Sequence, residues 1–445
     1  MPREKIVLVG AGSAMFTRGL VVDLIGRGWE ADLALVDTSA EALAVAEGLT
    51  RKMLEARGAP VRLSASVDRR DVLDGATAVI CTVGVGGRRA WEADVFIPRK
   101  HGIFQPVGDS VMPGGTSRAL RMIPAMVDIA KDVLDLAPEA LFFNYGNPMT
   151  PVCRAVRKAT GAPVVGLCHG VFGVAYTLAD LLGVTRAELE YTAVGLNHLT
   201  WFTGVGHEGK DLMPRLREIA REQLAAAAKD PDTVQRNRFT WELLDVFGAF
   251  PAVGDRHTSE FFPQFFREGR YYGKTLGVDA FSFEDTIAQG DRIFERMRED
   301  ALSRGPLAAD YFEQFGGEHE QVLDIIQSLR TDNGKVYSAN LPNTGQVPNL
   351  PAEAVLESPA AARDGRLEPL PQTPLATGIA GILAGRLGWC ETVVDAAIEG
   401  SRTKFIQALV LDGAVSSLAA ATQLADELVT AHAAYLPRFS LRGDA

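Results

Sequence analysis

Several residues able to bind a metal stand where short apolar runs end. Cys168-His169-Gly170 follows the run from Pro163 to Leu167, and Asn197-His198 follows Tyr191 to Leu196. A thiolate and an imidazole are both transition-metal ligands. Cys168 and His198 alone cannot close a structural zinc site, which takes four protein ligands. They would leave coordination positions open for substrate oxygens. The bland reading is a buried cysteine beside two hydrogen-bonded histidines. Asn144-Tyr-Gly-Asn147-Pro-Met149 ends a further apolar run, Ala140 to Phe143.

A second pattern concerns phosphate. Gly10-Ala-Gly12-Ser13-Ala14-Met15 follows the apolar run Ile6 to Val9 and opens helical spacing through Ile25. The first glycine allows a tight turn, and the second lets backbone approach a pyrophosphate at a helix N-terminus. Met15 replaces the usual third glycine and widens the space over the turn. Asp37 ends the second strand, 25 residues after Gly12. An acid there suits the ribose hydroxyls of NAD, whereas NADP calls for a nearby arginine. Thr82-Val83-Gly84 ends the fourth strand, at the carboxyl edge where such sheets bind ligands. The alternative is a plain glycine-rich turn with Asp37 as a helix cap.

These groups need a scaffold that gathers strand ends. Strands are expected at Ile6 to Val9, Leu33 to Val36, Val61 to Ala65, Ala78 to Val83, Ala140 to Phe143 and Pro163 to Leu167. Helical stretches lie between them: Met15 to Ile25, Ala40 to Glu55 capped by Ser39, and Arg118 to Leu136. This alternation predicts an α/β chain, with a Rossmann-like, doubly wound parallel sheet over residues 1–196. Residues 197–445 are expected to form a larger, mixed, helix-rich C-terminal domain. Seven prolines between Leu341 and Pro374 predict an ordered connection over the surface rather than one regular element.

Composition removes other classes. Lys plus Arg is 45 against 56 Asp plus Glu, a formal charge of -11. A general nucleic-acid or membrane-surface binder would need a basic face. Four cysteines without CxxC spacing suit a reducing cytoplasm better than a disulfide framework. No secretory leader or membrane span is expected.

Six motifs occur in order: Gly10-Ala-Gly12-Ser13, Gly108-Asp109 through Gly115, Asn144 through Met149, Cys168-His169-Gly170, Gly195-Leu-Asn-His198, and Asn349-Leu-Pro351 with Leu356-Glu357. In combination they resemble the NAD- and metal-dependent glycoside hydrolases of family 4, over nearly the whole chain. The resemblance implies a fold like lactate and malate dehydrogenases, with a larger C-terminal part. It implies bound NAD and a divalent metal, manganese as a rule, held by Cys168 and His198. The implied chemistry is oxidation at C3 of a sugar, proton loss from C2, elimination at C1, water addition and hydride return. Asn147 and Asp109 match positions that contact sugar. His169 stands where some members carry a proposed general acid. Several members take the C2 proton with a tyrosine, which the stretch Phe247 to His257 lacks; Asp255 is the candidate instead, with hydroxide as rival. Cys168-His-Gly-Val171 looks like the uronidase branch, and Arg256 could pair with a uronate carboxylate. An α-galactosidase or α-glucosidase of the same family is the runner-up. An NAD-dependent hydroxy-acid dehydrogenase and a non-catalytic NAD sensor are the readings from other classes. The family further suggests a homo-oligomer, dimer or tetramer.

Overall fold

The computed structural model describes residues 3–229, 237–308, 310–314 and 321–439. Six strands form the parallel part: β1 (Glu4–Val9), β2 (Ala31–Val36), β3 (Val61–Ser66), β4 (Ala78–Cys81), β5 (Leu141–Asn144) and β6 (Val165–Gly166). Their order across the sheet is β3-β2-β1-β4-β5-β6, with every neighbouring pair parallel. This is the doubly wound order, whose crevice opens at the carboxyl ends of β1 and β4. Ser39 caps the helix Ala40–Arg57, its side chain accepting from the Ala42 N–H.

Why β1 is apolar from Ile6 to Val9 is visible in its packing. Val7 and Val9 join the apolar cluster that holds Met122 and Met126 of the helix Met112–Leu136. Ile6 and Leu8 join a second cluster with Leu20, Leu24, Leu323 and Ile326. Alternate residues feed opposite faces, and both faces are covered.

Beyond β6 the sheet continues antiparallel. The strands Val336–Pro342 and Val355–Arg363 follow, then β7 (Glu190–Leu196), β8 (Leu199–His207) and Phe250–Ala252, in a sheet of 13 strands. The expected boundary between residues 196 and 197 therefore falls inside the β7–β8 hairpin, and one sheet runs across it. A correction concerns Leu341 to Pro374. Val355–Arg363 lies mid-sheet between Val336–Pro342 and β7, and its core residues Val355, Leu356, Ala360 and Ala361 are buried. Most of the prolines sit at strand ends and in loops; Pro359 lies within the strand, opposite Ser338. The long helix also begins earlier than expected, at Met112. Gly114 and Gly115 there resemble a loop, but they are demanded by packing: a Cβ on Gly115 would collide with the Ser110 backbone. No described helix is long and apolar enough to cross a membrane.

Candidate active site

The glycine-rich turn is closed to side chains. Gly10 has φ +92°, and the N–H groups of Gly10 and Ala11 both donate to the Val36 carbonyl, at 2.8 and 2.9 Å. A Cβ on Gly12 would lie 2.6 Å from the Ala42 Cβ and 2.7 Å from Asp37 Oδ2. Asp37 accepts from the Gly12 N–H at 2.8 Å and from the Ser39 N–H at 2.9 Å. Each oxygen keeps a second lone pair for a ribose hydroxyl. The Thr82 hydroxyl donates to the Gly10 carbonyl at 2.9 Å, which ties β4 to the turn. Ser13 Oγ accepts from Met15 and Phe16 N–H groups, and Ala14 is buried. Met15 is 69% exposed at the rim. Val83 is half-buried, and beyond it Gly84 leaves open the space before Arg118, whose Nη2 lies 3.6 Å from a Cβ built there.

Three donors converge in a second group. Atoms of Asp109, His198 and His257 able to bind a metal all lie within 4.8 Å of one another. His198 takes the turn position of the β7–β8 hairpin with φ +64°, and its ring centroid is 4.2 Å from that of His257. Behind it Asn197 and Thr200 both donate to Glu357, at 3.2 and 3.1 Å. Burial pushes the Glu357 carboxyl up to about 7.

The hydrogen bonds assign a tautomer. Ser110 Oγ lies 2.7 Å from Asp109 Oδ1 and 2.8 Å from His198 Nδ1. Burial favours the neutral Asp109 carboxyl, but His198 and His257 when protonated, the Arg118 charge and the Ser110 hydroxyl outweigh it and hold the group below its ordinary range. An ionised Asp109 can only accept, so Ser110 spends its single proton there. His198 must then carry its proton on Nδ1 and present a bare Nε2 lone pair. Asp109 Oδ2 accepts from the Asn147 amide at 2.9 Å. Burial lowers the pKa of His198, and burial with the facing His198 ring lowers that of His257 much further. Both rings are neutral at pH 7, the ligating form.

The remaining expected residues are distributed less evenly. His169 is within electrostatic reach of His198 and His257, and burial holds it below the ordinary imidazole value. Cys168 stands two residues beyond β6, its sulfur accepting from the Gly170 N–H at 3.3 Å, but it is not one of the three converging donors. Arg256 donates from Nη2 to the Thr286 hydroxyl at 2.9 Å. Asp255 is held elsewhere. Its carboxylate accepts from the N–H groups of Phe239 and Thr240, at 2.8 and 2.7 Å, and from the hydroxyls of Thr240 and Tyr271, at 2.6 and 2.5 Å. It is fully buried, which raises it to about 6, and it anchors the start of the helix Arg238–Phe247. The structure thus gives Asp255 an anchoring role, with all four donors drawn from its own surroundings. Tyr272, the next tyrosine, donates to Glu242 at 2.6 Å.

Sequence reasoning missed His257, Arg118 and Glu260. Glu260 Oε1 accepts from the N–H groups of Val107 and Gly108, at 2.9 and 2.8 Å, directly before Asp109. A usable signal was scarcity. The chain has seven histidines, and three of them gather here.

Residues 5–184 match the sequence model of the family 4 glycosyl hydrolases, and residues 193–415 match the model of the family 4 C-terminal domain. The chain belongs to glycosyl hydrolase family 4. An α-galactosidase of Rhizobium meliloti is 32% identical over 470 residues, covering 100% of this chain and 91% of that protein. An α-galacturonidase of Bacillus subtilis is 31% identical over 425 residues, covering 92% of each. A 6-phospho-α-glucosidase from gut microorganisms, solved in complex with NAD and Mn2+, superposes with a TM-score of 0.86. At 19% identity over 98% of this chain and 100% of that one, it shows the fold alone. The malate dehydrogenase of Aeropyrum pernix does so more distantly: TM-score 0.51 and 16% identity, over 88% of this chain and 98% of that one.

In this family 4 chain, replacing Asp255 by asparagine is expected to cost stability rather than chemistry. Asparagine has one accepting oxygen where four donors now point, and each buried donor left unpaired costs about 1–3 kcal/mol. Thermal melts should show the loss, while turnover per folded molecule stays within about tenfold, a margin of ~1.4 kcal/mol. An unchanged melting point with turnover lost would restore Asp255 as the base.

Proposed function

We propose that the protein hydrolyses α-linked uronides, galacturonides or glucuronides, with NAD and a divalent cation, manganese in the first place, as bound cofactors. One observation favours a uronide. The guanidinium groups of Arg118 and Arg256 lie near Asp109 and His257, and neither forms an ion pair among the described residues. A protein of net charge -11 repels anions at long range, so an anionic sugar needs cations at contact range. A neutral sugar would offer neither guanidinium an ion-pair partner.

The residues suit both cofactors. The turn from Gly10 to Gly12 admits no Cβ, and Asp37 and Thr82 to Gly84 flank it, as a dinucleotide requires. One carboxylate oxygen and two neutral imidazoles suit manganese better than a thiolate does. Asp109, His198 and His257 would hold the ion. When bound, the nicotinamide supplies a hydride acceptor for C3, and the ion a Lewis acid for the C2 and C3 oxygens. The protein's own groups then place the sugar and move its protons. Asp109 and Asn147, already joined, orient hydroxyls. His169 starts neutral, so it first accepts a proton, from C2, and can then deliver one to the departing glycosidic oxygen. The family match over residues 5–415 favours this reading over a dehydrogenase.

Nitrophenyl α-galacturonide, α-glucuronide, α-galactoside and α-glucoside, assayed with NAD+ and Mn2+, test the proposal. A uronide is expected to lead by at least about tenfold in kcat/KM, the low end for one charged hydrogen bond. Product made in D2O should carry deuterium at C2, with no net NADH. Strong galactoside turnover with none of uronide moves the assignment to the neutral sugars.

A further inference from the structure

We infer that Arg118 receives the substrate carboxylate and sets the preference for uronides; this rests on the uronide reading above. Arg118 stands in the second turn of the helix Met112–Leu136. Its Nε donates to the Asn147 carbonyl at 3.0 Å, which fixes the plane of the guanidinium. Both terminal nitrogens make no hydrogen bond among the described residues. One side of the group faces the Trp91 ring, whose centroid is 5.9 Å from the guanidinium carbon. Its Nη2 approaches Gly84, where a Cβ would lie 3.6 Å from it.

The neighbouring arginines are already engaged. Arg88 and Arg89 share Asp291, Arg99 pairs with Glu284, and Arg121 is buried against Asp94. Arg256 turns toward Thr286 on the helix Phe283–Leu302. Asp109 is the acid nearest in effect to Arg118, but its oxygens are bonded to Ser110 and Asn147. Arg118 is thus a half-buried cation lacking a paired anion, and desolvating an unpaired charge is costly. Its free edge, Nη1 with Nη2, matches the two oxygens of a carboxylate. Asn147 links this edge to the hydroxyl contacts: its amide holds Asp109 and its carbonyl holds Arg118. One sugar ring would meet Asp109 and Asn147 through hydroxyls and Arg118 through its carboxylate.

The test compares wild type, Arg118→Gln, Arg118→Lys and Arg256→Gln, each loaded with NAD+ and Mn2+. The readouts are kcat/KM on α-galacturonide and α-galactoside, and calorimetric binding of free galacturonate and galactose. Arg118→Gln is expected to lower the uronide-to-galactoside ratio about 10–150-fold, the range for one charge-assisted contact, and galacturonate affinity by a similar factor. Arg118→Lys, which keeps the charge but loses the fork, should fall between. NAD+ affinity, read by fluorescence, should stay within about threefold, ~0.65 kcal/mol. A merely structural role would weaken both sugars equally and leave the ratio unmoved, which overturns the assignment. A ratio that collapses in Arg256→Gln instead does the same. Wild type that ignores uronides refutes the substrate reading itself and removes the basis for Arg118.

Discussion

Replacing His257 by alanine is expected to strip the protein of its divalent ion and its turnover together. His257 lies on a one-turn helix, Asp255–Thr258, and meets Asp109 and His198 only in the folded chain. Its Nδ1 is buried without a hydrogen-bond partner. Alanine therefore orphans no group of the protein, and the melting point should move little. Losing even a supporting partner of a metal ligand costs about 10–100-fold in affinity, so loss of a ligand should exceed ~100-fold. Titration with Mn2+ followed by electron paramagnetic resonance, beside the glycosidase assay, checks both halves. Because burial lowers the pKa values of His198 and His257, protons compete for these rings below their ordinary value, and for His257 well below it. Wild-type Mn2+ binding should accordingly persist as pH falls from 7 through 6. A His257→Ala protein that binds Mn2+ as tightly as wild type would remove His257 from the donor set. Cys168→Ser in the same titration asks whether the thiolate contributes as well.

What was legible in the sequence was local. The turn from Gly10 to Gly12 and the acid at Asp37 are read from adjacent residues and one strand spacing, and the structure joins them by a 2.8 Å bond. Asn147 and His198 were legible because strand ends of a doubly wound sheet converge whatever their separation in sequence. His257 was not, since its neighbours Asp255 and Arg256 make the whole triplet look like a charged surface turn. The anchoring role of Asp255 was hidden for a related reason. Its partners are the backbone N–H groups of Phe239 and Thr240, and backbone groups leave no mark on side-chain pattern. The strand Val355–Arg363 was hidden by the prolines around it. Its place mid-sheet depends on pairing with Val336–Pro342 and touching β7 at Gly195, and no single-strand pattern encodes those partners.

Glu260→Ala is expected to damage both the fold and the metal site, and Glu260→Gln to spare both. The carboxyl is fully buried and ties together two segments that carry donors. It stands three residues beyond His257, and its Oε1 accepts from Val107 and Gly108, the residues before Asp109. Alanine leaves both backbone N–H groups unpaired, at about 1–3 kcal/mol each, before any cavity cost is added. Glutamine keeps an accepting oxygen in place. If the tie sets the distance between Asp109 and His257, Mn2+ affinity should fall about 10–100-fold in the alanine variant and recover in the glutamine one. A variant that is only less stable would melt earlier yet bind Mn2+ normally below its transition. The charge gives a separate check. Burial pushes Glu260 up to about 8 from an ordinary value near 4.5. A raised acid contributes stability that is fully present below the unfolded pKa and lost as pH rises through the folded one. Relative to Glu260→Gln, wild type should therefore lose stability between about pH 4.5 and 8. Melting points of the two proteins measured across that window should draw together or cross as pH rises; a constant gap would mean that Glu260 does not titrate there.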